Sequence, residues 1–423
     1  MHGVNIESSC DEGMMKVKKY SSSSEKISNC IISVSFILLC VVLCATIAPA
    51  RLKEISDAAS IGTFAKDFSS DFESKINTEF HWKNYFVDIN GFFHRLFLQR
   101  EMNDVVLLKN GHEHITMEDR SDEGIAINAD SLKAFSDWLD DKGISFFWCQ
   151  VPQKLDEEND QLPAGLNDYS NRIADIFIND LRERNVNYLD LRECIEKDGV
   201  DRYSLFLSTE HHWKPQGGFY AFQKMCDYMR DNFGEEIPEY VTDIENYDIE
   251  THKKGSLGYY GQRVGWMFGG FDDFDLIYPK WETHQSSWAP HKDLLREGSF
   301  YDAIFYTEYL DYPWRERGLY GTYIGGDWPL VVHESDTAPI DKTVMILIDS
   351  YGTIPESFLT LAYKNVIGVD LRWVLRNNMG KTTAEFVEEY KPDIVIVSFN
   401  PNQIGDPESE QFQYGIEQVT EEP

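Results

Sequence analysis

The segment Leu207-Ser208-Thr209-Glu210-His211-His212-Trp213-Lys214-Pro215 sets a carboxylate two residues from an imidazole, just ahead of a predicted helix. In an extended stretch, side chains at i and i+2 leave the backbone on the same side. Glu210 is therefore expected to face His212, with His211 pointing away. A carboxylate that holds an imidazole in one tautomer and stabilises its cation is the supporting half of a Ser-His-acid triad. The missing half is a serine. Val344-Met345-Ile346-Leu347-Ile348-Asp349-Ser350-Tyr351-Gly352 reads as a buried strand running into Asp-Ser and then toward a helix. Functional groups gather at the carboxyl ends of strands in α/β sheets, and backbone N–H groups at such a turn can bind an oxyanion. Asp349 would brace the turn. Asp-Ser after a strand is equally an ordinary helix N-cap.

Other chemistries fit these residues less well. The Glu-His-His spacing matches neither His-Glu-x-x-His nor the reverse order, so no metal is expected. The stretches 255–261 and 265–270 follow no strand and lack a Lys-Ser/Thr ending. They read as flexible covering loops rather than phosphate cradles, and no cofactor site is legible. Three residues are candidate substrate contacts: Trp213, Lys154 at a strand end, and Arg372 after a later strand. Each has a plainer reading: Trp213 packed against the histidines, Lys154 in solvent, Arg372 paired with Asp370.

The elements that must position these residues alternate between strand and helix. A helix over Ala129–Lys142, stopped by Gly143, precedes the apolar strand Ile144–Val151. A helix over 168–184 precedes the short strand Val186–Asp190. Pro215 suits the first turn of a helix reaching Phe233. Apolar runs follow at Val344–Ile348, Val366–Val369 and Ile394–Phe399, and Thr382 with Glu385 forms a capping box for the helix before the last. This order predicts an α/β fold with a parallel sheet flanked by helices. Between about 240 and 342 the alternation fails, which marks a long insertion covering the ligand-binding face. The α/β domain is placed at 121–405, with an acidic mobile tail over 406–423.

The chain has 423 residues, 42% hydrophobic, enough for a substantial core, and a formal net charge of -33. That charge argues against nucleic acid or an anionic membrane surface as the main partner. Residues 1–26 read as a polar cytoplasmic tail. From Ile27 to Ala50 there is no charged residue, a run that would make a helix of about 36 Å, enough to cross a bilayer. Lys16, Lys18, Lys19 and Lys26 precede it, so the bulk of the chain is expected outside the cytoplasm, anchored through 27–50. A cleaved signal peptide ending near Ala48-Pro49-Ala50 is the alternative. The membrane-proximal segment over 51–120 carries Phe64, Phe68 and Phe72 at helical spacing. Cys149, Cys194 and Cys226 show no pairing or metal-binding spacing.

Taken together, Glu210-His211-His212-Trp213 followed by Asp349-Ser350-Tyr351 resembles the DHHW family and the related SGNH-hydrolase-like domain of alginate O-acetyltransferases. Collinear fragments extend the resemblance: Asn84 to Asp88 through Arg95, Leu107 to Gly111, Val151-Pro152-Gln153-Lys154, Val369 to Arg372 and Lys391-Pro392-Asp393. It implies an SGNH-like fold in which the histidine motif precedes the serine. Ser350 would be the nucleophile, His212 the general base and Glu210 the orienting acid. The implied activity is O-acetyl transfer or acetyl-ester hydrolysis on a cell-surface polysaccharide, with the donor delivered by a membrane-bound O-acyltransferase partner. The family's first motif position is usually Asp; Glu210 adds a methylene, roughly an ångström of reach. The alternative is a non-catalytic glycan-binding or scaffold subunit of a polysaccharide modification and export complex.

Overall fold

The computed structural model describes Val34, Ile37, Leu38 and residues 82–416 except 159, 316, 317 and 378. The span expected at 27–50 and the helix expected around Phe64–Phe72 therefore lie outside the described residues, those three apart. Among the described residues no helix is long and apolar enough to cross a membrane. The chain divides into two compact units, 1–83 and 84–423; the second carries the sheet.

Helix α1 (Lys83–Leu96) leads into a small three-stranded sheet of β1 (Glu101–Met102), β2 (Val105–Leu107) and β3 (Glu113–His114). Helix α2 (Asp122–Asp140) starts at Ser121, whose hydroxyl accepts from Gly124 N–H, with Asp122 and Glu123 in the first turn. Then come β4 (Ser145–Gln150), α3 (Ser170–Glu183), β5 (Tyr188–Asp190), α4 (Leu191–Asp198) and α5 (Pro215–Phe233). Pro215 does open α5, and Gly234 closes it at φ 70°, a left-handed conformation that glycine adopts without steric cost. The stretch read as an insertion holds a hairpin, β6 (Tyr247–Ser256) with β7 (Asp272–Pro279), interrupted by α6 (Tyr259–Val264) and α7 (Trp266–Gly269). It then supplies β8 (Gln285–Ala289), β9 (Leu294–Gly298) and β10 (Leu330–Ser335). The chain ends with β11 (Ile340–Ile348), α8 (Thr353–Leu359), β12 (Tyr363–Val369), α9 (Leu371–Arg376), α10 (Thr383–Tyr390) and β13 (Ile394–Ser398). The capping box at Thr382 and Glu385 is formed on both sides.

The central sheet has eight strands in the order β5-β4-β13-β11-β12-β10-β8-β9. The first five run parallel, as expected. The last three are antiparallel, so the sheet is mixed rather than parallel. The reason lies in the stretch from 240 to 342. Strand β8 buries alternate residues, β9 alternates half-buried with exposed ones, and a short connection joins the two, so they pair as an antiparallel ribbon that β10 links to the core sheet.

Within the parallel half, successive residues feed two cores on opposite faces. On β11, Val344, Ile346 and Ile348 join the layer formed by α5 and α8, while Met345 and Leu347 join the layer formed by α2 and α3. Tight packing on both sides leaves the carboxyl ends of the strands as the place where polar groups can gather. A second expectation needs correction here. Part of the tail read as mobile packs into the second layer: Phe412 and Tyr414 are buried, and Tyr414 stacks on Phe135 with ring centroids 4.1 Å apart. Counting acidic residues missed this aromatic pair.

Candidate active site

Three of the five parallel strands end at an aspartate that folds back on its own turn. Asp190 and Asp370 each accept the N–H two residues on, from Arg192 and Arg372, and so cap the following helices. Asp349 accepts from Tyr351 N–H with one oxygen and from Asn400 N–H with the other, both at 2.9 Å. It thereby ties the end of β11 to the end of β13. Burial pushes the Asp349 carboxyl above its usual range, only partly offset by Arg372 and these two N–H groups. Gly352 is required beside this turn, because a Cβ there would lie 2.1 Å from Ile348 Cγ2. The result presents Ser350, half-buried, at the strand end.

The histidine segment reaches the same point from 138 residues away. His212 Nε2 lies 2.7 Å from Ser350 Oγ. Glu210 Oε1 lies 3.2 Å from His212 Nδ1. The segment is not extended, however. Phe206 pairs with Trp213 and Leu207 N–H bonds His212 C=O, which closes residues 207–212 into a tight loop. In that loop His211 does not point away: its Nδ1 is also 3.2 Å from Glu210 Oε1, and the two imidazoles are 3.9 Å apart. One carboxylate oxygen thus serves two rings. Burial alone would raise the Glu210 carboxyl, but the adjacent imidazoles of His211 and His212 outweigh it and hold it well below the usual carboxylate range. Burial first, then the neighbouring His212, lowers His211 to about 4.

Aromatic rings fix the catalytic candidate in place. His212 stacks on Tyr320 with centroids 4.1 Å apart and planes 15° apart. The Tyr320 hydroxyl accepts from Trp213 Nε1 at 2.9 Å, and the Tyr351 hydroxyl donates to His211 C=O at 2.6 Å.

The expected substrate contacts lie elsewhere. Trp213 is buried beneath the loop. Arg372 turns back onto Asp370 with two bonds and approaches Asp327 at 3.4 Å, which is its plainer reading. Lys154 is almost wholly buried, and its ammonium donates to the carbonyls of Glu113 at 2.7 Å and Glu210 at 2.5 Å. Backbone oxygens, with no solvent to compete, drew the side chain inward from the strand end. Burial, only partly offset by Asp272, Glu113 and Glu210, lowers its pKa to about 8.

Several positioning residues carried no sequence signal. Asp272 accepts from Ser208 N–H at 2.6 Å, Thr209 N–H at 2.8 Å and the Thr209 hydroxyl at 2.7 Å, clamping the loop from 63 residues away. Gly258 is tight against this loop, since a Cβ would meet Glu210 Cβ at 2.5 Å. Of the glycines read as flexible cover, Gly255, Gly258, Gly261, Gly265 and Gly269 are close-packed, while Gly270 is open. Glu210, His211 and His212 have ligand atoms within 4.8 Å of one another and could hold a cation. A cleft of about 410 Å³ opens from His211, lined by Tyr259, Tyr260, Gln153, Asn400 and Asn402.

Glu113 is fully buried and neither carboxylate oxygen has a partner; burial, partly countered by Lys154, raises its pKa to about 8. The folded protein keeps a proton that the unfolded chain releases above 4.5, so this contribution is intact below that value and lost as pH rises through about 8. Urea unfolding of wild type should therefore weaken from about pH 5 to about pH 9, and Glu113→Gln should remove roughly 1–3 kcal/mol of that loss. An equal slope in the variant would exclude Glu113 as its source.

Residues 110–267 match the family model described as the SGNH hydrolase-like domain of the acetyltransferase AlgX. The resemblance read from the motifs is thereby shown. Among solved structures, Bacillus cereus PatB1 bearing a sulfonyl adduct is similar at TM-score 0.59 and 16% identity, over 74% of this chain and 99% of that one. A DHHW family protein from Eubacterium siraeum is similar at TM-score 0.56 and 18% identity, over 74% of this chain and 95% of that one. The O-acetyltransferase domain of Pseudomonas putida AlgJ gives TM-score 0.43 and 14% identity, over 72% and 92%. Comparison with curated proteins returned no match. At these identities the PatB1 and DHHW structures show a shared fold alone, an α/β sheet flanked by helices that is consistent with an SGNH-like domain.

Proposed function

We propose that this protein is an SGNH-like O-acetyltransferase or acetylesterase, acting on a cell-surface polysaccharide and held at the membrane through 27–50. One observation carries the reading: Ser350 Oγ at 2.7 Å from His212 Nε2, with Glu210 on the far side of the same ring, at the carboxyl end of the sheet. His212 takes the Ser350 proton as Oγ attacks the acyl carbonyl, and the imidazolium is stabilised by Glu210. Collapse of the tetrahedral adduct expels the leaving group with that proton and leaves an acetyl ester on Ser350. A sugar hydroxyl or water, deprotonated by His212, then attacks this ester and frees Ser350. Asn400, anchored to Asp349 beside the serine, is the candidate side-chain donor to the oxyanion.

The cleft beside His211 sets amides and phenols among the charged side chains Glu118, Arg120 and Asp168, a lining that suits the hydroxyls and ring faces of a sugar polymer. The AlgX and PatB1 resemblances support the same class of chemistry. In an exported setting the acetyl donor would come from a membrane-bound O-acyltransferase partner.

A glycan-binding subunit without turnover is the second reading. It is favoured by one detail, the absence of a well-directed hydrogen bond at His212 Nδ1 while Glu210 is shared with His211. The two separate by trapping. Incubation with p-nitrophenyl acetate or phenylmethylsulfonyl fluoride should leave one acyl or sulfonyl group on the peptide bearing Ser350, read by mass spectrometry. An unmodified Ser350 peptide under both reagents sinks the enzyme reading.

A further inference from the structure

Helix α1 presents an apolar face that its own domain does not cover. Ile89 is 48% exposed, Phe92 48%, Phe93 47%, Leu96 58%, Phe97 68% and Leu98 88%. Phe92 meets Phe93 edge-on at 5.7 Å, and Phe93 stacks with Phe97 at 6.4 Å, so the rings form one ridge. Leu98 sits at φ 58°, a left-handed conformation that costs leucine energy, with almost no contact to offset it. A soluble surface rarely concentrates this many large apolar side chains on one helix.

The opposite face is fastened down. Gly91 lies so close to the body that a Cβ would meet Val264 C=O at 2.5 Å and Phe268 Cβ at 3.1 Å. Buried Asp88 accepts from Trp266 N–H and pairs with Arg315. The exposed ridge is therefore held rigidly by the catalytic unit.

Charge identifies the occupant. In a chain of net charge -33, the exposed charges between 82 and 100 are two cations, Lys83 and Arg95; Arg100 is half-buried, the single acid, Asp88, is buried, and exposed Glu101 opens the next strand. An apolar ridge edged by cations is the pattern of a helix lying in the plane of an anionic bilayer. The uncharged run 27–50 precedes it in the same chain.

We infer that α1 is an interfacial helix, its Ile89–Leu98 ridge embedded among the acyl chains and headgroups of an anionic leaflet, which fixes the catalytic unit against the membrane surface. The inference rests on the proposed membrane location. It goes further by assigning a second, in-plane contact that sets the orientation of the site.

The test uses the full chain in vesicles of phosphatidylglycerol and phosphatidylcholine, with a carbene-generating hydrophobic photoprobe in the acyl phase. Peptide mapping should find label both in 27–50 and in 84–100. Phe92→Glu with Phe93→Glu should lower labelling of 84–100 by on the order of tenfold or more, since each lost phenyl removes more transfer energy than one decade of partitioning requires. These side chains are exposed, so the thermal transition and turnover of a soluble ester should be unchanged; Leu98→Glu serves as an independent variant. Label confined to 27–50 overturns the inference and leaves the anchor standing. Label in neither segment overturns both. Covalent capture of 84–100 by a second protein chain in place of lipid also overturns it.

Discussion

On the proposed function, Ser350→Ala and His212→Ala should each lower acetyl release from an activated ester by at least ~10⁴-fold, to the level left by binding and oxyanion stabilisation alone. The double variant is no slower than either single one, because the two groups act as one unit across their 2.7 Å contact. Glu210→Gln falls less, by about 10²–10⁴-fold, since it leaves the imidazole stacked on Tyr320 and removes only the charge that stabilises its cation. The measurement is initial rate with p-nitrophenyl acetate at saturating substrate, with circular dichroism as the check on folding. Additive losses in the double variant, or wild-type rates in either single one, would rule out a joined Ser350–His212 unit.

Lys154→Met has the second largest effect, and it acts at a distance. The ammonium satisfies two buried carbonyls, those of Glu113 and Glu210. Methionine fills the volume but donates nothing, so each carbonyl loses its partner at about 1–3 kcal/mol. The combined loss, on the order of 2–5 kcal/mol, lowers the melting temperature by several degrees. Loosening the Glu210 carbonyl also frees the loop carrying the acid and both histidines, and misplacement by about an ångström costs roughly 10²-fold in rate. The expected signature is a fall in kcat with KM little changed, because Lys154 itself does not line the cleft and reaches it only from behind the Tyr260 ring. A rise in KM at constant kcat would return Lys154 to the role of a substrate contact.

Much of the scaffold was legible. The Val344–Ile348 run, the Pro215 helix start and the Thr382–Glu385 box are local signals, and each depends on residues within one or two turns of one another. The antiparallel edge of β8 to β10 was not legible, because strands of five or six residues that mix Ser, Glu, Arg and Gln with a few apolar residues resemble loops when read singly. Lys154 was placed at the substrate because it follows a strand end, and Trp213 was placed there as part of the histidine motif. Their burial depends on carbonyls and rings that arrive from elsewhere: Glu113 and Glu210 for the lysine, Tyr320 for the tryptophan. Asp272 is one acid among many in an acidic chain, and only its three bonds to Ser208 and Thr209 single it out.

By itself the sequence determined which residues could do chemistry and which strand end would carry Ser350, since strand, turn and helix follow from side-chain periodicity over a few residues. Tertiary structure alone decided that His212 meets Ser350, that Glu210 is shared with His211, and that Lys154 faces inward. Those outcomes depend on closing a 207–212 loop and docking it 138 residues away in sequence. Such closure is driven by burial and by satisfying backbone groups across the whole core, which no local pattern of residues encodes.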